Sequence, residues 1–473
     1  MVERKRLRFS AVMAAGVIPL LVLLATSCGV DVEYEYRGAD HAVLESGAFP
    51  VGITSFSFVD DSRSTPANDA QPGSRTRSLE VRVWYPAVAP SADQAQDDDF
   101  ASIPDPTPMF NAPPATGSGP FPLIVFSHGL SALPADYGDL LAAWASAGYV
   151  VAAPKFPLSS REAPGGADAA DVANQPGDVS AVIRYATQLS ASAAGRQLAG
   201  MIDGDRVGVA GHSNGGITTA GIVGDRCCHD ASVSAAVILS GTSQVFPNGG
   251  EDWSQNPPLL VVHGEKDTLV PVDAGIRLFN SARAPKGLLR LLDADHATFV
   301  VSSSPSFPVT VRATVDFWNG YLKGDVASID ALPDDQQKGI ATMDFIVDPT
   351  DDSQVELTTP AMGDRKASVT PSTGLRDGQT VKVSWSGFLP GRVINIVQCS
   401  GGGLGSSASC NLVTGKILQP DPTGEGSLEL QIVEGQVGTG MCDSTTVDCV
   451  IVVNDASLPD EDANLRIPIS FAP

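Results

Sequence analysis

Three residues far apart in the chain have the right types to make one reactive centre. Ser213 sits in Gly211-His212-Ser213-Asn214-Gly215, Asp267 closes His263-Gly264-Glu265-Lys266-Asp267, and His296 closes Asp293-Ala294-Asp295-His296. A serine hydroxyl near neutral pH attacks a carbonyl only when a base within hydrogen-bond reach takes its proton. That base must in turn be oriented by a carboxylate. A Gly-x-Ser-x-Gly run between a strand and a helix supplies the nucleophile on a sharp turn, with the acid and then the histidine following along the chain. Gly211 and Gly215 suit that turn because backbones approach too closely on either side of the serine to admit a Cβ. The Asn214 N–H opens the following helix unpaired and can face a developing oxyanion. A second donor is expected from the loop after an early strand, and Phe126-Ser127-His128-Gly129-Leu130 offers the Leu130 N–H. His296 is the only histidine after Asp267. Asp273, Asp293 and Asp295 are neighbouring carboxylates, the last two suited to shaping the histidine loop. His212 and His128 read as packing groups.

The elements that must hold these residues alternate. Residues 122–127 form a solid apolar strand ending in His128-Gly129, 136–147 a helix, 149–153 a strand and 178–189 an amphipathic helix. The apolar run 207–210 leads into the serine turn, and 217–223 continues as a buried helix. Strands at 235–239, 259–262 and 288–292 alternate with helices near 272–281 and 309–322. Continuous apolar strands separated by helices indicate a mostly parallel sheet covered on both faces, a doubly wound α/β fold. Functional loops then gather at the carboxyl ends of the strands, where Ser213, Asp267 and His296 all fall. Residues 51–59 and 79–85 add two strands before this unit, and 88–119, rich in Pro, Ala and Asp, reads as a surface loop.

The 473 residues suit two domains, and a net charge of −24 argues against nucleic acid or anionic lipid as a bulk partner. Residues 1–28 read as a targeting segment, with Arg4, Lys5, Arg6 and Arg8 ahead of an apolar run. Ala25-Thr26-Ser27-Cys28 resembles a bacterial lipobox, which implies lipidation of Cys28 and a membrane tether through 29–48. A retained signal anchor is the alternative. Six cysteines remain in local pairs, Cys399 with Cys410, Cys442 with Cys449 and, as a third candidate, Cys227 with Cys228. An even remainder suits disulfides in an oxidising compartment. No further ligands complete a metal site beside Cys227-Cys228-His229, so no metal and no cofactor are expected.

Residues 347–366 are polar and acidic, a linker, and from Val369 the sequence turns to short strands at 380–385, 393–398, 428–432 and 450–453 among Gly, Ser and Pro turns. That pattern suits a β-sandwich. The expected organisation is 1–28 signal, 29–48 tether, 49–346 α/β domain, 347–366 linker and 367–473 sandwich.

FSHGL at 126–130, AGYVVAAP at 147–154, GHSNGG at 211–216, HGEKDTLVP at 263–271 and DADHATF at 293–299 together resemble the α/β-hydrolase superfamily. The resemblance extends to its platelet-activating-factor acetylhydrolase-like, dienelactone-hydrolase-like and polyester-hydrolase-like members. It implies serine ester hydrolysis, with Leu130 and Asn214 as oxyanion donors. The acetylhydrolase relatives carry their acid after the preceding strand, where this chain has Leu239-Ser240-Gly241. The acid placement is therefore nearer the polyester hydrolases, for whose aromatic clamp Phe246 is the nearest candidate. Residues 367–473, with VTPSTGLRDGQTVKVSWSGFLPG and a final IPISF, resemble the neocarzinostatin family. That implies an immunoglobulin-like sandwich and an apolar small ligand.

Only 241–256 is available for a cap, so the site is expected to be open, with 157–176 on the same edge. The function expected is an extracytoplasmic serine esterase acting on lipid-like, bulky or polymeric esters. An acyltransferase or amidase with the same triad is one alternative. A surface ligand-binding protein working through the sandwich is another.

Overall fold

The computed structural model describes residues 49–473 apart from 69–70, 89–107, 245, 349, 351–356, 358–363, 389–393, 402–408, 412–414, 419–423, 439, 447, 456–463 and 473. The expected signal segment with Cys28 and the expected tether at 29–48 lie outside the described residues, as do most of 88–119 and of the expected 347–366 linker. No helix among the described residues is long and apolar enough to cross a membrane.

Ten strands make one sheet: β1 Val51–Asp60, β2 Arg77–Pro86, β3 Met109–Phe110, β4 Phe121–Ser127, β5 Val150–Lys155, β6 Ile202–His212, β7 Val233–Leu239, β8 Leu259–Gly264, β9 Lys286–Leu291 and β10 Ala341–Ile346. Their order is β10-β9-β8-β7-β6-β4-β5-β2-β1-β3. The run β5-β4-β6-β7-β8-β9 is parallel, while β2 and β10 join its two edges antiparallel. Alternate residues of one strand feed opposite cores. In β4, Leu123 and Val125 face one side and Ile124 and Phe126 the other. Helices α2 Gln175–Ser190, α3 Asn214–Gly224 and α4 Val272–Ser281 cover the first face. The second is covered by α1 Gly138–Ser146 and α5 Phe307–Lys323. Double coverage is why these strands are apolar throughout.

Three features depart from the sequence expectation. Residues 88–119 are not all loop, because β3 pairs in parallel with β1. The stretch after α5 carries a short helix, α6 Val326–Ala331, and β10, whose half-buried strand lacks a long apolar run. Within the expected linker, Leu357 packs on the α/β core, and its backbone exchanges two hydrogen bonds with the Asn280 side chain, at 2.8 and 3.1 Å.

Arg77 on β2 is fully buried and binds Asp178 at 2.7 and 2.6 Å and Asp171 at 2.8 Å. The pairing fixes the start of α2, and the segment leading into it, against the sheet. Removing one partner from such a group strands a charge in the interior.

Farther along, Lys366–Thr370, Thr380–Ser386 and Gly426–Gln431 form one sheet, and Lys416–Leu418, Ile394–Cys399, Val450–Asp455 and Asn464–Pro468 another. Val383 and Leu430 of the first meet Ile396 and Ile451 of the second in one core, so the two sheets make the expected sandwich. Gly435–Val437 pairs with Gly440–Cys442 as a separate ribbon. Disulfides join Cys399 to Cys410, Cys442 to Cys449 and, in the α/β domain, Cys227 to Cys228.

Candidate active site

The carboxyl end of β6 runs into a turn whose pivot is Ser213, at φ 56° and ψ −118°. A non-glycine residue holds that conformation only when its surroundings impose it, at a cost of about 1–3 kcal/mol. Here the Ser213 N–H donates to Leu239 O at 2.9 Å, and its carbonyl accepts Ile217 N–H at 3.0 Å. A Cβ on Gly215 would overlap the Ser127 carbonyl, and one on Gly211 would overlap the Gly215 carbonyl. Glycine at 215 thus lets α3 touch the end of β4, and glycine at 211 lets it touch the end of β6.

Ser213, His296 and Asp267 come together. Ser213 Oγ–H donates to His296 Nε2 at 2.8 Å, and His296 Nδ1–H donates to Asp267 Oδ2 at 2.7 Å. Asp267 Oδ1 also accepts the N–H groups of Leu269 at 2.9 Å and Val270 at 2.8 Å. Burial alone would raise this carboxyl, but hydrogen bonds from histidine outweigh it and hold Asp267 well below the usual carboxylate range. His263 and His296 both contribute, and His296 stands closer to the carboxylate, at 2.7 Å against 3.5 Å. The His263 Nε2–H is directed to Val270 O at 2.6 Å and passes Asp267 Oδ2 at 3.5 Å. An ionised acid fixes the histidine with Nε2 free to accept the serine proton.

The competing carboxylates have other partners. Asp293 pairs with Lys266 at the surface, and Asp295 caps its own loop by accepting Ala297 and Thr298 N–H at 3.1 and 3.0 Å. Asp273 lies buried in the first turn of α4.

Asn214 opens α3, and its N–H has no acceptor within the helix. The Leu130 N–H likewise makes no hydrogen bond with another described residue. A Cβ on Gly129 would lie 3.4 Å from Ser213 Cβ, which brings the Leu130 loop directly against Ser213. His128 lies buried beneath that loop, donating from Nδ1 to Gly129 O at 2.7 Å and accepting Phe156 N–H at Nε2 at 3.1 Å. Burial holds its pKa down at about 4, so the ring is neutral, as a packing group requires.

Phe246 is no clamp. It is 2% exposed and lies against Gly221 of α3, held from below by Asp225, which accepts the Phe246 N–H. The 157–176 segment does border the site, through Ser131 N–H to Ser159 O at 2.8 Å. Gln175 ties it down, donating to Ser159 Oγ at 2.7 Å and accepting from Thr218 Oγ1 at 2.5 Å.

Sequence reasoning missed several groups around this centre. Ser131 and Ser240 stand at φ 57° and 44° after β4 and β7, and Tyr137 and His263 bond to His212 and Val270. No spacing rule flags them, because each works through a contact made only on folding.

Comparison with known proteins bears on both parts of the chain. Residues 88–244 match the family described as Chlorophyllase, and residues 367–471 match the Neocarzinostatin family. Macromomycin from Streptomyces macromomyceticus is 34% identical over 112 residues, covering 22% of this chain and 75% of that protein. The chain belongs to the neocarzinostatin family through its C-terminal domain. The antitumor antibiotic C-1027 apoprotein from Streptomyces globisporus is 31% identical to this neocarzinostatin-family chain over 98 residues, 19% of it and 67% of the relative. A ferulic acid esterase from Streptomyces cinnamoneus aligns over 59% of this chain and 93% of its own, with a TM-score of 0.45 and 23% identity. The part ahead of the neocarzinostatin-family domain is a chlorophyllase-like α/β-hydrolase, and that likeness supports a carboxylic ester hydrolase in general. It names a branch of the superfamily other than the three the motifs resemble.

Proposed function

We propose that the chain is an exported serine carboxylic-ester hydrolase in which Ser213 is the nucleophile, His296 the general base and acid, and Asp267 the orienting carboxylate. One observation carries the reading: the unbroken run Ser213–His296–Asp267, at 2.8 and 2.7 Å, beside two unpaired backbone donors. Ser213 Oγ attacks the ester carbonyl carbon while His296 Nε2 takes its proton. The carbonyl oxygen becomes an oxyanion received by the N–H groups of Leu130 and Asn214. The intermediate collapses as His296 returns the proton to the departing alkoxide, leaving an acyl-serine. Water then repeats the sequence, delivering a proton to His296 and hydroxide to the acyl carbon, and the acid leaves as Ser213 recovers its hydrogen. Each oxyanion donor of this kind contributes on the order of 10²–10³ in kcat.

Lipid-like, bulky or polymeric esters are the substrates we assign. Leu130 and Leu269 are 42% and 47% exposed and adjoin, respectively, the oxyanion loop and the acid loop, giving the centre apolar lips open to solvent. Labelling by a fluorophosphonate, lost in Ser213→Ala, tests the nucleophile. A series of p-nitrophenyl esters should show kcat/KM rising with acyl length; a fall beyond acetate would overturn the apolar substrate.

The location we assign is extracytoplasmic, with the chain tethered through a lipid on Cys28. The lipobox-like Ala25-Thr26-Ser27-Cys28 and the disulfide pairs support this. Incorporation of labelled palmitate, abolished by Cys28→Ser, checks it. An apolar small ligand is proposed for the C-terminal domain, to be tested by calorimetric titration with polycyclic aromatics.

A further inference from the structure

We propose that Tyr137 and His212 are positioning residues that set the base loop and the oxyanion loop through a single hydrogen-bond chain; the inference rests on the ester-hydrolase reading above. His212 precedes the nucleophile, and its ring is buried in the protein. Its Nε2–H donates to the backbone carbonyl of His296 at 2.7 Å. With that nitrogen protonated, Nδ1 is the acceptor, and Tyr137 O–H donates to it at 2.9 Å. The Tyr137 oxygen in turn accepts the Gly129 N–H at 3.0 Å. Four groups therefore run in one direction, from the amide next to the Leu130 donor to the carbonyl of the residue that carries the base. Every member is buried except the His296 edge, and each bond fixes the polarity of the next.

The arrangement works only with a neutral His212. The His212 and His296 rings stand 4.9 Å apart between centroids, so a proton on His212 would oppose the imidazolium that forms on His296 during turnover. Burial, reinforced by that same neighbour, keeps the His212 pKa down at about 3. Around it Phe299 lies edge-on at 6.1 Å between centroids, His263 further disfavours a charge on the ring, and Asp267 is engaged by His296. A chain of this kind does not touch substrate. It acts on where the base and the oxyanion donor sit, and a displacement near 1 Å costs about 10²-fold in rate.

The two ends can be cut separately. Asn at 212 places an oxygen near the Nδ1 position and keeps the Tyr137 bond while losing the His296 carbonyl. Gln places its amide near Nε2 and does the reverse. We expect His212→Asn to lower kcat about 30-fold and Tyr137→Phe about tenfold, each with KM changed less than twofold. Since Gln at 212 already removes the Tyr137–His212 link but leaves the Gly129 N–H on the Tyr137 oxygen, Tyr137→Phe added to His212→Gln should cost less than Tyr137→Phe alone. Rates are to be taken per active site, counted by fluorophosphonate labelling of the full chain. Unchanged kcat per labelled site in Tyr137→Phe and His212→Asn, with only a lower melting temperature, would overturn the inference and leave the pair a packing feature. Multiplying losses in the double variant would equally overturn the single chain. A wild-type chain that takes no label sinks the hydrolase reading itself, which is a different result from either.

Discussion

The two folded regions of this chain treat backbone strain in opposite ways. Among the described residues, every non-glycine residue at positive φ (Asn111, Ser131, Arg196, Ser213, Ser240 and Asn248) lies in the α/β-hydrolase part. Among the described residues of the neocarzinostatin-family domain, positive φ occurs only at glycine, as at Gly374 and Gly378. Three of the six strained residues are serines just past β4, β6 and β7, around the candidate active site. Buried polar atoms without partners occur in both regions, Ser240 Oγ and Asn214 Nδ2 beside the candidate site and Trp385 Nε1 and Asn395 Oδ1 in the sandwich. A large core on both faces of ten strands can offset the strain. The sandwich has two smaller hydrophobic clusters and two short-range disulfides. Strain goes where a reactive group must be held in place, and cross-links go where burial is scarce.

Four measurements would break or sharpen that contrast. Ser213→Ala should lower kcat by about 10⁵-fold or more while leaving hydrogen exchange in 366–468 unchanged. Replacing Cys442 and Cys449 together by serine should cost the sandwich about 2–3 kcal/mol, read as faster exchange in its strands, with esterase rate per labelled site untouched. An effect on kcat would mean the regions are energetically joined.

Acid should separate them next. His128 and His212 have folded pKa values held down at about 4 and about 3, against 6.5 when unfolded. The unfolded chain therefore binds protons first as pH falls below 6.5, and each ring costs the folded hydrolase up to about 1.4 kcal/mol per pH unit down to its folded pKa. Asp335, raised to about 6 by burial, acts the other way below pH 6. The sandwich has no histidine. Urea unfolding of His128→Asn should accordingly show a pH slope flatter by about one proton than the parent between pH 6.5 and 4. Equal slopes would mean the His128 ring is already protonated in the fold. Smallest, Ser240→Gly should stabilise the hydrolase by about 1 kcal/mol in the same assay, by relaxing a positive φ and removing an orphaned hydroxyl. Destabilisation there would show that Ser240 is not strained.

Much of the site could be read from local pattern. The Gly-x-Ser-x-Gly run, the order of serine, aspartate and histidine, and the apolar strands ending just before each are properties of short segments, and the strands formed within a few residues of where they were expected. The choice among four carboxylates was not local. Asp267 and Asp295 both sit in loops after strands, and only the pairing of β8 with β9 decides which one faces His296. Phe246 is the nearest candidate for a clamp only by its position after β7; its contact with Gly221 is not legible in the sequence.

The sequence by itself determined which residues are chemically able to act and the periodicity that makes a parallel sheet, since both follow from side-chain chemistry and from which way successive side chains point. The tertiary structure alone decided which groups surround them. Tyr137 and His212 are 75 positions apart, His212 and His296 are 84, and a hydrogen bond of under 3 Å between such residues exists only after the strands have set their register.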